Sequence, residues 1–114
     1  MRKRDLLLSL LLAAPLAAAA NDFPTRARVE YVIACMQESK EPPTEAMYKC
    51  SCAIDAIAAK VSYDEWVNLS TVANGITMAG ERGGELRDLK DGRKIASTYR
   101  EMQEAARKHC FLAR

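Results

Sequence analysis

The sequence predicts an all-α protein: a small four-helix bundle stapled by two disulfides, after a cleavable signal peptide. Three observations carry that expectation. Apolar residues recur at helical spacing in four separate stretches, and no stretch alternates long enough for a strand. Pro and Gly clusters punctuate the chain between those stretches. Four cysteines (Cys35, Cys50, Cys52 and Cys110) follow an N-terminal segment built for export, and exported cysteines read first as disulfides.

The export segment is residues 1–20, MRKRDLLLSLLLAAPLAAAA. Arg2, Lys3 and Arg4 form a basic start, Leu6 to Leu16 an apolar run, and Ala18-Ala19-Ala20 a small-residue exit. That layout predicts cleavage after Ala20 and a mature domain over 21–114. The apolar run is short and Pro-interrupted, and no later segment approaches 18 apolar residues, so no stable membrane anchor is expected. The expected location is the periplasm or the secreted space.

Removing 20 of 114 residues leaves 94, enough for one small domain in which cross-links matter. The formal charge of +2 belongs to the signal. Three of the 17 bases and one of the 15 acids leave with it, so the mature chain is neutral. Arg100, Arg107 and Lys108 are interleaved with Glu101 and Glu104. A basic stripe for nucleic acid is therefore not expected.

The first helix is expected over 24–39. Pro24 suits a first turn, Asn21 or Asp22 is the candidate cap, and Val29, Val32, Ile33 and Met36 make an inward face. Glu41-Pro42-Pro43 ends it, because Pro43 drives Pro42 out of the α region. Thr44 is expected to cap a second helix near 45–61, with Met47, Cys50, Ile54, Ile57 and Val61 inward. Ser62 and Glu65 have capping-box spacing ahead of a third helix over about 63–78. Trp66, Leu69, Val72 or Ala73, and Ile76 face inward there, and Gly75 weakens it. Residues 79–92, AGERGGELRDLKDG, read as a solvated loop, with Arg82 and Arg87 as partner-contact candidates. A last helix over about 92–111 carries the stripe Ile95, Tyr99, Met102, Ala106 and Cys110. Tyr31, Tyr48, Tyr63, Trp66 and Tyr99 are expected to supply core packing.

Cys50 and Cys52 lie two residues apart on one helix, so their side chains diverge by about 200°. They cannot bond each other without unwinding it, and each must reach a different neighbour. An antiparallel hairpin turning near Pro42 sets residue 35 level with about residue 49, which favours Cys35–Cys50 with Cys52–Cys110. Stripe logic favours Cys35–Cys52 with Cys50–Cys110, because Cys50 shares the main apolar face with Ile54. Disulfide geometry is intolerant of height mismatch, which tips the preference to the first pairing.

No catalytic constellation is visible. His109 is the only histidine, and its place near a helix C-terminus suits the helix dipole better than base catalysis. No resident cofactor or metal is expected. The alternative is a soft-metal site in which the Cys50-Ser51-Cys52 thiols hold copper. The segment Tyr48-Lys49-Cys50-Ser51-Cys52-Ala53-Ile54-Asp55, with Tyr31-Val32, Cys35-Met36 and Cys110-Phe111, resembles small uncharacterised exported bacterial proteins associated with quinoprotein (PQQ-dependent) alcohol dehydrogenase systems. The resemblance implies a periplasmic accessory role and carries over no catalytic residue. The expected function is a non-enzymatic module that binds a protein partner of unknown identity.

Overall fold

The structure, a computed structural model, describes residues 21–113, so the expected signal peptide lies outside the described residues. Five helices follow in order: α1 (Thr25–Glu38), α2 (Pro43–Ala58), α3 (Tyr63–Gly75), α4 (Glu81–Asp88) and α5 (Gly92–His109). Among the described residues there is no strand. No helix among them is long and apolar enough to cross a membrane.

Helix α2 is the central element. It packs against α1 on one side and α5 on the other, while α3 lies along α5. Its inward residues Ala46, Cys50, Ala53, Ile54, Ile57 and Ala58 are buried at three- and four-residue steps. Cys35 bonds Cys50 and Cys52 bonds Cys110, with Cα separations of 5.9 and 5.8 Å. The pairing is the one that hairpin register favours, and all four sulfurs are consumed.

The main core gathers Phe23, Ala53, Ile54, Ile57, Ala58, Ala106 and Cys110. Half-buried Tyr31, Val32, Tyr63, Trp66 and Met102 close over it. The Phe23 ring meets Tyr63 edge-on at 5.4 Å and Trp66 at 5.6 Å, and Tyr63 stacks on Trp66 at 6.2 Å. A smaller cluster joins Cys35, Cys50 and Leu112. Phe23 and Leu112 carry no helical periodicity because they flank helices rather than sit in them. That is why the sequence pattern missed both.

Helix starts are only partly as expected. Ser62 Oγ accepts from the Glu65 amide at 3.2 Å, the side-chain half of a capping box. Helix α2 instead begins on Pro42-Pro43 with no side-chain cap, so Thr44 is not the cap. Pro43 at the first helical position has no amide to satisfy. Helix α1 likewise starts after Pro24 uncapped. Asn21 Oδ1 accepts from the Phe23 amide, and Asp22 Oδ1 accepts from the Tyr63 amide, which ties the N-terminal segment to α3.

The largest correction concerns residues 79–92. They contain α4 rather than an unbroken loop, and the helix count rises from four to five. Composition suggested a loop because Gly83 and Gly84 are poor helix formers. Tertiary contact overrides that propensity. Leu86 packs over Gly75, where an added Cβ would lie 2.0 Å from Leu86 Cδ1. A Cβ on Gly83 would lie 1.9 Å from the Met78 carbonyl oxygen, so the glycine is needed for backbone approach. Gly84 is open, with only an Arg87 nitrogen 3.8 Å from its would-be Cβ. Gly83→Ala is therefore expected to destabilise by about 1–3 kcal/mol through overpacking. Gly84→Ala should stabilise by up to about 1 kcal/mol through helix propensity. Urea midpoints of the two variants must move in opposite directions; equal shifts would mean that α4 is not docked on Met78.

Candidate functional site

Helix α1 is an edge helix. Among its residues only Ala27 and Cys35 are buried. The expected inward face is thus split: Val32 and Met36 pack against the core clusters, while Val29 and Ile33 stand 50% and 52% exposed. The cause is register. The Cys35–Cys50 disulfide turns the Cys35 side of α1 toward α2, which rotates Val29 and Ile33 to the outer rim. Between the two helices they border a groove of about 290 Å³ with Val32, Ile54, Ser51 and the Arg28–Asp55 ion pair. Arg28 also sits 6.0 Å over the Phe23 ring, so it is anchored from two sides. On α2, Met47 and Tyr48 are exposed rather than in the core, at 42% and 69%. The stapled hairpin thus carries four large apolar or aromatic side chains that its own fold does not cover.

The other end of the hairpin is tied to the C-terminus. Lys49 Nζ donates to Glu41 Oε1 at 2.8 Å and to Glu45 at 2.6 Å, and the Ala113 amide donates to the same Glu41 oxygen at 3.2 Å. The Lys49 and Ala113 hydrogen bonds hold the Glu41 carboxyl below its usual value, and the two glutamates raise Lys49. Helix α5 ends in a Schellman motif: the Leu112 amide reaches the Arg107 carbonyl at 3.0 Å and the Phe111 amide the Lys108 carbonyl at 3.2 Å. Phe111 takes the left-handed position with φ 54°, which glycine occupies at lower cost, and its ring is 83% exposed. The turn buries Leu112 beside the Cys35–Cys50 bridge.

A second, polar cleft of about 400 Å³ lies between α1, the end of α3 and α5. Tyr31, Glu38, Asn74, Tyr99, Gln103 and Arg107 line it. Tyr31 donates its hydroxyl to Gln103 Oε1 at 2.8 Å, and Gln103 and Tyr99 line the same cleft. Burial pushes both phenols up, Tyr31 to about 12, so both stay protonated at neutral pH.

The two residues expected to contact a partner from the 79–92 segment separate. Arg82 is exposed on α4. Arg87 instead donates through Nη1 to the Ile76 and Met78 carbonyls at 3.0 and 2.9 Å, serving the chain just beyond α3. Its guanidinium is committed to the fold. His109 is exposed in the last turn of α5, beside Arg107 and Lys108. Comparison with family models, curated proteins and solved structures found no match for this chain.

Proposed function

We propose that this is a periplasmic, non-enzymatic module that docks a protein partner through the outer face of the α1–α2 hairpin, as an accessory to a larger system such as a quinoprotein dehydrogenase. One observation carries the docking reading: Val29 and Ile33, one helical turn apart, are half exposed along an apolar groove whose helices are covalently fixed to each other. Isolated exposed apolar residues are ordinary, but apolar side chains lining a groove between two helices offer a seat for the apolar face of a partner helix. A disulfide across the hairpin lowers the ordering cost of binding, because the groove is formed beforehand. The two disulfides support the oxidising compartment. The quinoprotein association rests on the sequence resemblance alone. The copper alternative needs Cys50 and Cys52 as thiols on one ion. Here they point to different helices and are both oxidised.

Site-specific photo-crosslinking in the native compartment tests the reading. A crosslinker at Ile33 should yield a discrete protein adduct, and one at Asp64, on the exposed start of α3, should not. Ile33→Asp should keep both disulfides and the far-UV spectrum, since the side chain is half in solvent, and should abolish adduct formation from position 29. No adduct from position 29 or 33 of the otherwise native chain would defeat the docking proposal.

A further inference from the structure

The polar cleft between α1, α3 and α5 is separate from the hairpin groove and plays no part in the docking reading. Its lining is unusual in one respect. Glu38 and Arg107, of opposite charge, both border it, yet no nitrogen–oxygen approach within 4.0 Å joins them. Among the described residues the Glu38 carboxylate acts on the Tyr31 and Tyr99 phenols through its charge. Arg107 spends Nη2 on the Ala113 carbonyl at 3.0 Å, which steadies the guanidinium at the edge of the cleft. The Tyr31 phenol lies within electrostatic reach of both charges, and that of Tyr99 within reach of Glu38. Gln103 Oε1 accepts from the Tyr31 hydroxyl at 2.8 Å. Asn74 adds an amide from α3.

We propose that this cleft binds a small zwitterion of the α-amino-acid class, with its carboxylate on Arg107 and its ammonium on Glu38. A simple anion would meet Arg107 but face the Glu38 carboxylate. A simple cation would meet Glu38 but face Arg107. A molecule carrying both charges satisfies both walls at once, and a guanidinium is the side chain best matched to a carboxylate. The Tyr31–Gln103 hydrogen bond ties α1 to α5 across the cleft before a ligand arrives, which keeps the ordering cost low. A cleft of about 400 Å³ falls in the range of small-molecule sites and leaves room for a side chain beyond the α-carbon.

The test is amide chemical-shift mapping on the oxidised protein, titrated in turn with each of the twenty common L-amino acids. At least one should shift the amides of Glu38, Tyr99, Gln103 and Arg107 together. For the best binder, the matched amine without the carboxylate and the matched acid without the ammonium should each bind about tenfold more weakly, the loss expected for one charged hydrogen bond. Glu38→Gln should weaken the amino acid about tenfold and leave binding of the matched acid unchanged or improved. Thermal melts of this variant should equal those of the parent, since Glu38 is exposed. If no amino acid perturbs these four amides, or the matched acid binds as tightly as the amino acid, the proposal is overturned. The Ile33 crosslinking result is independent of either outcome.

Discussion

Reduction of both disulfides is expected to unfold the protein, or to leave only a residue of helix, at room temperature. The Cys35–Cys50 bridge spans 15 residues and Cys52–Cys110 spans 58. On the chain-entropy account the first contributes about 3 and the second about 4 kcal/mol. Domains of this size have about 5–15 kcal/mol in total. The apolar core offers little reserve, because most of its buried positions are alanine or cysteine and only Ile54 and Ile57 are large and nearly inaccessible. Far-UV circular dichroism with and without reductant measures the effect. Replacing Cys35 and Cys50 together by Ala should lower stability less than replacing Cys52 and Cys110, because the second pair closes the longer loop and holds α5 to α2. Unchanged melting after complete reduction would show that the cysteines are kept for a purpose other than stability.

Helix existence was legible wherever periodicity and punctuation agreed. The α5 stripe is the clearest case: Ala106 and Cys110 are buried, and Tyr99 and Met102 half-buried, as their spacing implies. The divergence of Cys50 and Cys52 on one helix also follows from helical geometry alone. Three features were not legible. Helix α4 depends on Leu86 seating over Gly75 and on Arg87 reaching two carbonyls, contacts that composition cannot report. The rotation of α1 depends on where the Cys35 bridge pulls it, so Val29 and Ile33 read as core although they edge a groove. The polar cleft assembles Glu38, Asn74 and Arg107 from three helices far apart in the chain, and no local spacing announces it. Helical geometry narrowed the covalent frame to two pairings, and hairpin register tipped the balance to the one the structure contains. The surfaces open to ligands depend on tertiary register, which one sequence does not display.

Trp66 is the non-covalent position where substitution should cost most. Its ring sits among Phe23, Tyr31 and Tyr63, at centroid distances of 5.6, 6.5 and 6.2 Å, and joins the N-terminal segment, α1 and α3. Trp66→Ala should destabilise by about 3–5 kcal/mol, combining lost apolar burial with the cavity left behind. The indole adds a second, opposing effect. Its Nε1 is buried with no hydrogen-bond partner among the described residues. An orphaned buried donor costs about 1–3 kcal/mol. Trp66→Phe removes that donor while keeping an aromatic ring in the cluster, so part of the cavity cost is offset. Its net destabilisation should fall well below that of Trp66→Ala, to about 1 kcal/mol or less. Urea unfolding of both variants separates the two effects, with the slope against denaturant checked for constancy so that midpoint shifts report stability. A Trp66→Phe loss close to that of Trp66→Ala would mean that the indole nitrogen is satisfied in solution and that ring size alone sets the packing at this position.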